Sequence, residues 1–257
     1  MSFIKILIVQ SLAVIKKEKI IIAPPIILFC CMQLLISFIP VSTPDIKSPP
    51  KMIYIGFLLF TSFLELCFRG VTILMATDIC LKKEVQMREI TKTFFAQLHH
   101  MVIGSIILYI PLYFGLQFII AGGANPADAS QSILGLVLVF FIFIPIALMQ
   151  DFLPIFIFSS KLNFYESIKA SAKFIFKNLK KIIVFKAISI SLILYSLIAS
   201  MFFNSIPIFG QAVFQSIILG LGFSFSYVMS VICFYNLRGQ NRVVVLLNKE
   251  PENKQDQ

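Results

Sequence analysis

The sequence predicts an all-α polytopic membrane protein, with six transmembrane helices, amphipathic interfacial helices and a threefold parallel repeat. Three observations lead there. Of 257 residues, 58% are hydrophobic and 13% charged, with a mean hydropathy of +0.93, where a soluble domain carries about 25% charge. Six apolar runs reach the ~20 residues that a helix needs to cross a hydrocarbon core about 30 Å thick. The basic residues gather on alternate sides of those runs. Together these exclude a soluble enzyme, a disordered chain and a coiled coil. No stretch alternates as a membrane strand does, which excludes a β-barrel.

The elements follow in order. Residues 3–17 read as a loosely amphipathic helix ending in Lys16, Lys17 and Lys19. No small-residue cleavage site follows Ile6 to Ile15, so a signal peptide is not expected. The six runs cover roughly 20–40, 53–77, 101–121, 133–158, 182–203 and 211–236. Segments 41–52 and 122–132 are rich in Pro, Gly, Ser and Asp, and Asn204 to Gly210 carries no charge. These read as short turn-forming loops. The intervening segments are basic. Nineteen of the 22 Lys and Arg lie in 1–19, 78–95, 161–186 and beyond 237. Lys and Arg accumulate on the cytoplasmic side of a membrane. Both termini are therefore expected in the cytoplasm of a bacterium, with the chain in its inner (plasma) membrane. Residues 1–240 form the six-span domain and 241–257 a polar cytoplasmic tail.

The basic segments repeat. In 163–183 the apolar positions Phe164, Ile168, Ala172, Ile175, Phe176, Leu179 and Ile183 recur at helical spacing, with Glu166, Lys169, Lys173, Lys177 and Lys180 on the other face. In 85–102, Ile90, Phe94, Leu98 and Met101 stand against Glu89, Lys92 and Gln97. The segments end at Lys19, His100 and Lys181, 81 residues apart in both cases. Three units of amphipathic helix, span, short loop and span are read, all in one direction.

The last unit runs Ile144-Pro145 through Asp151-Phe152, then Asn163-Phe164-Tyr165-Glu166-Ser167-Ile168-Lys169-Ala170-Ser171, then Asn178-Leu179-Lys180-Lys181. The last span closes on Phe234-Tyr235-Asn236-Leu237-Arg238. This pattern resembles the membrane domain of glycerophosphoryl diester phosphodiesterases and related multi-pass families of unknown function. Ser167 stands where that family's pattern has Ala after Glu, and Leu237 follows Tyr235 by two residues rather than three. In that family the phosphodiester chemistry belongs to a separate soluble barrel, for which no stretch here is long enough. The resemblance implies a membrane module in a lipid setting, not hydrolysis.

Three ionisable residues fall inside apolar runs. Glu65 and Arg69 are four apart, hence on one helix face in the favoured ion-pair order. Asp151 lies between Pro145 and Pro154. Intramembrane charges cost roughly 2.5–3.5 kcal/mol each on insertion scales, so they face partners. Arg69 is expected to pair with Glu65, Asp151 or both. Lys169, Lys173, Lys177, Lys180 and Lys181 are candidate contacts for anionic lipid headgroups. His99 and His100 are adjacent and point about 100° apart, a poor metal pair. Asp78 and Glu84 make no phosphotransfer motif, and no cofactor is expected. Cys30, Cys31, Cys67, Cys80 and Cys233 are expected to be free thiols. Ser216, Gly220 and Ser224 recur every fourth residue, as do Gly222, Ser226 and Ser230, giving faces that let helices approach closely. Span 5 offers Ser189, Ser196 and Ser200.

The reading is a non-catalytic integral membrane module interacting with lipid or membrane partners at the inner leaflet. Its partners are membrane lipids with anionic headgroups, with a membrane protein as a further option and no nucleic acid. The alternative is a permease or transporter subunit using Glu65, Arg69 and Asp151.

Overall fold

The computed structural model of the chain describes residues 3–38, 52–81, 84–123, 144–202 and 208–239. Five features expected from the sequence lie wholly or mostly outside them: the loops at 41–52 and 122–132, the opening of the fourth run at 133–143, the 204–210 link, and the 241–257 tail. The fold is all-α, and there is no strand among the described residues. The helices are α1 (Phe3–Lys17), α2 (Ala23–Phe38), α3 (Met52–Cys80), α4 (Met87–Gly123), α5 (Ile144–Ser160), α6 (Phe164–Lys177), α7 (Leu179–Met201) and α8 (Ile208–Leu237). A 3-10 turn, Lys19–Ile22, leads into α2. Among the described residues, two stretches are long and apolar enough to cross a membrane, Leu179–Met201 and Ala212–Leu237. By contact the chain forms two compact units, Met1–Lys92 with Val184–Gln257, and Thr93–Ile183.

In the first unit α8 is the central helix, with α1, α2 and α3 packed on it. Every residue from Ser226 to Tyr235 is buried. A helix apolar on all sides finds its place by being surrounded, and Val228, Met229, Val231, Ile232, Cys233 and Phe234 supply that surface. Hydroxyls inside these apolar helices bond back to the preceding turn: Ser11 Oγ to Leu7 O at 2.7 Å, Thr72 Oγ1 to Phe68 O at 2.8 Å and Ser216 Oγ to Ala212 O at 2.7 Å. Each hydroxyl is thereby satisfied without water.

The two small-residue lanes of α8 meet two different neighbours. Gly220 lies against α2, where an added Cβ would sit 2.5 Å from Ile26 Cγ1 and 2.7 Å from Ile26 Cα. Only a residue without a side chain lets the backbones come that close. Ser224 Oγ donates to Gly220 O at 2.6 Å and reaches Ile22 O at 3.5 Å. The other lane faces α7. Gly222 abuts Ser196, and the Ser189 and Ser226 hydroxyls share a hydrogen bond. Gln215 Nε2 donates to Ser200 O at 3.3 Å further along the same pair. At the opposite end of α8, Asn236 Nδ2 donates to Gln10 Oε1 at 2.8 Å, tying the closing stretch to α1. Arg238 lies over the Phe234 ring, 4.8 Å from its centre.

The second unit is built on aromatic contacts. Phe94 of α4 stacks on Phe158 of α5 with centroids 5.7 Å apart. Phe174 of α6 meets Phe152 at 5.2 Å and Phe156 at 5.9 Å. Gly104 would place a Cβ 3.2 Å from Leu153 Cδ2, a side-chain neighbour rather than backbone. Residues 161–163 join α5 to α6, and Lys161 takes a left-handed φ of 52° at the turn. Asn163 then caps α6, its Oδ1 accepting from Glu166 N at 2.9 Å. Asn163→Ala is expected to lower stability by about 1 kcal/mol, the usual value of an N-cap. Thermal unfolding in detergent reads this directly, and an unchanged midpoint would show that the cap does not matter.

The segment read from the sequence as one amphipathic helix over 163–183 is two helices. The break is Asn178, whose Nδ2 donates to Phe174 O at 3.0 Å. Its own carbonyl accepts from Lys181 N at 3.0 Å and Ile182 N at 3.1 Å, opening α7. An Asn side chain competes with the helical ladder in just this way. The buried face also differs from the expected one. Ser167, Ser171, Phe174 and Ile175 are buried, whereas Phe176, Leu179 and Ile183 are exposed. The two serines are small enough to let α6 lie close on its neighbour, which turns the aromatic Phe176 outward.

Candidate functional site

The candidate site of the first unit lies where α3 meets α8. Arg69 sits one turn after Glu65 on α3, and its Nη1 lies 3.6 Å from Glu65 Oε1. Arg69 is 7% exposed as a residue, and 23% of the Glu65 side chain stays accessible. Tyr227 of α8 closes the group. Its hydroxyl donates to Glu65 Oε1 at 2.8 Å, and its ring lies under the Arg69 guanidinium, 5.2 Å from centre to Cζ. One Tyr thus serves both charges, the carboxylate through its O–H and the cation through its π face. Phe223 meets Tyr227 edge-on at 5.9 Å and Phe29 of α2 at 4.9 Å, so α2 buttresses the ring from behind. Thr61 and Thr72 are buried on the same helix as the pair.

Chemically this is a neutral cluster. One carboxylate and one guanidinium offset each other, and the shared hydrogen bond orients both. Arginine suits such a place because its charge is spread over a plane that can lie on an aromatic face. The arrangement clamps α3 to α8 through the interior of apolar helices.

Asp151 belongs to the second unit. It lies on α5, half-buried, between Gln150 and the fully buried Phe152, three residues before Pro154. Helix α5 runs unbroken through Pro154. The candidate lipid-contact lysines, Lys169, Lys173, Lys177, Lys180 and Lys181, are all exposed. The structure divides them between α6 and the first turn of α7. His99 and His100 lie ring beside ring, centroids 3.8 Å apart, with His99 exposed and His100 half-buried. Among the described residues no three His, Cys, Asp or Glu gather as a metal site. The five cysteines are free thiols.

Sequence reasoning missed Tyr227 and the Gln10–Asn236 bond. A signal for both existed. A tyrosine or an amide inside an otherwise apolar helix must find a hydrogen-bond partner when buried, and Tyr227 stands within the sixth run. Which partner it finds depends on how α8 docks, and only the packing shows that. No protein-family model, curated protein or solved structure matches the chain.

Proposed function

We propose that the chain is a non-catalytic integral membrane module whose basic segments engage anionic lipid, and through it membrane partners, at the inner leaflet. The observation that carries this reading is the outward face of α7. Ile190, Leu194, Tyr195, Leu197, Ile198 and Met201 are all exposed on a helix of 23 residues. A contiguous apolar surface of that length calls for an apolar solvent, and a helix of 23 residues matches a bilayer core. The five exposed lysines stand at the start of the same helix and along α6, where headgroups would meet them.

On this proposal α2, α3, α4 and α5 also cross the bilayer, which with α7 and α8 gives six spans and two cytoplasmic termini in a plasma membrane. The threefold repeat and the likeness to the phosphodiesterase membrane domain fit the same scheme. The permease alternative draws less support, because the Glu65–Arg69 pair is self-neutralising and bonded to Tyr227.

The test is lipid retention. The full chain, reconstituted in nanodiscs of mixed phosphatidylcholine and phosphatidylglycerol and then released into the gas phase, is expected to keep phosphatidylglycerol in excess of its bulk share. Changing Lys169, Lys173, Lys177, Lys180 and Lys181 to Gln should remove that excess. Retention in proportion to the bulk mixture, with or without the lysines, would contradict the proposal.

A further inference from the structure

The outward face of α6 mixes charge with large aromatic groups. Tyr165 is 67% exposed and Phe176 is 70% exposed. They are eleven residues apart, and Lys169 lies one turn after Tyr165, so at 3.6 residues per turn all three fall on one stripe about 40° wide. Lys173 and Lys177 follow on the adjoining flank, and Glu166 is the one acidic residue of the helix. The opposite side, with Ser167, Ser171, Phe174 and Ile175, is already occupied within the second unit, Phe174 lying against Phe152 and Phe156 of α5. An amphipathic helix ordinarily offers its apolar face to the bilayer. Here that face is used by the protein, and what remains for the lipid is the lysine–aromatic face.

We infer that α6 docks on the anionic leaflet through this outward face, with Tyr165 and Phe176 as anchors at the acyl boundary and Lys169, Lys173 and Lys177 on the headgroup phosphates. The inference rests on the membrane reading given above and adds which face meets the lipid and by which residues. Charge selects the occupant: α6 carries three lysines, Lys161 stands just before it and Lys180 and Lys181 just after, and a single carboxylate, Glu166, opposes them. Position agrees, since one residue separates α6 from a helix long and apolar enough to cross a membrane. Lysine stems can lie along apolar surface while the ammonium reaches phosphate, and an aromatic ring with a polar tip, such as Tyr165, suits the interface.

The chain contains no Trp, so one introduced Trp is a unique reporter. Phe176→Trp is placed in the full chain in proteoliposomes, with Leu194→Trp on the exposed face of α7 as the second variant. Both sites are exposed, so neither change disturbs packing. In phosphatidylglycerol-containing vesicles, Trp at 176 is expected to be quenched by lipids brominated near the headgroup end of the acyl chain and shielded from aqueous acrylamide. That quenching should fall in pure phosphatidylcholine, in high salt, and when Lys169, Lys173 and Lys177 become Gln. If Trp at 176 answers to acrylamide and not to brominated lipid while Trp at 194 is quenched by deep bromines, the α6 inference fails and the membrane reading stands. If Trp at 176 is shielded from both quenchers, protein covers the face and the inference also fails. Equal lipid quenching in neutral and anionic vesicles would overturn the role given to the lysines. If Trp at 194 is untouched by brominated lipid, the membrane reading fails and takes the inference with it.

Discussion

Gly220→Ala is expected to destabilise the chain sharply, and Gly104→Ala only mildly. At Gly220 the new methyl meets the backbone of Ile26, 2.7 Å from its Cα and 2.8 Å from its nitrogen. Backbone cannot swing aside as a side chain can, so α2 must shift away from α8. Overpacking ordinarily costs about 1–3 kcal/mol, and Gly220→Ala should lie at or above the top of that range. At Gly104 the nearest atom is the tip of Leu153, 3.2 Å away, which can turn to another rotamer. Thermal unfolding of both variants in one detergent provides the comparison. Equal losses would mean that the α2–α8 approach is not as close as described.

The second large effect concerns Arg69. Arg69→Leu alone should cost about 3 kcal/mol, the low end for breaking a buried pair, because 23% of the Glu65 side chain stays exposed and water can soften the loss. Glu65→Leu with Arg69→Leu should cost less than Arg69→Leu alone, since no charge is then stranded among apolar helices. Tyr227→Phe should cost about 1.5–3 kcal/mol, the range for a hydrogen bond to a charged group. A double-mutant cycle between positions 65 and 69 reads the coupling in stability. Strictly additive losses would show that the two charges do not support one another.

Much of this was legible in the sequence, for reasons that differ by element. The helices follow from composition and run length, because in a chain this apolar the backbone must satisfy its own hydrogen bonds. The two lanes of small residues on α8 were visible as a four-residue repeat, and the structure adds that Gly220 serves α2 while Gly222 and Ser226 serve α7. The spacing of Glu65 and Arg69 put both on one helix face, which made their pairing one of the expected relations, and the structure shows it at 3.6 Å. What the pattern hid was phase and partner. Phe176 reads as a core residue by spacing but stands outside, because Ser167 and Ser171 take the close contact instead. The break at Asn178 depends on a side chain bonding its own preceding turn, an interaction that periodicity does not register. Tyr227 was silent because its partner lies on another helix, 162 residues away in sequence.

The chain is proposed to be a polytopic membrane module with both termini in the cytoplasm. Single cysteines in a background freed of the five native ones test it most directly, through reaction with a membrane-impermeant thiol reagent on intact cells. Ser42→Cys and Asn125→Cys should label from outside, whereas Lys173→Cys should label only after the cells are opened. Labelling of Lys173→Cys in intact cells, or none at Ser42→Cys and Asn125→Cys until lysis, would contradict the account.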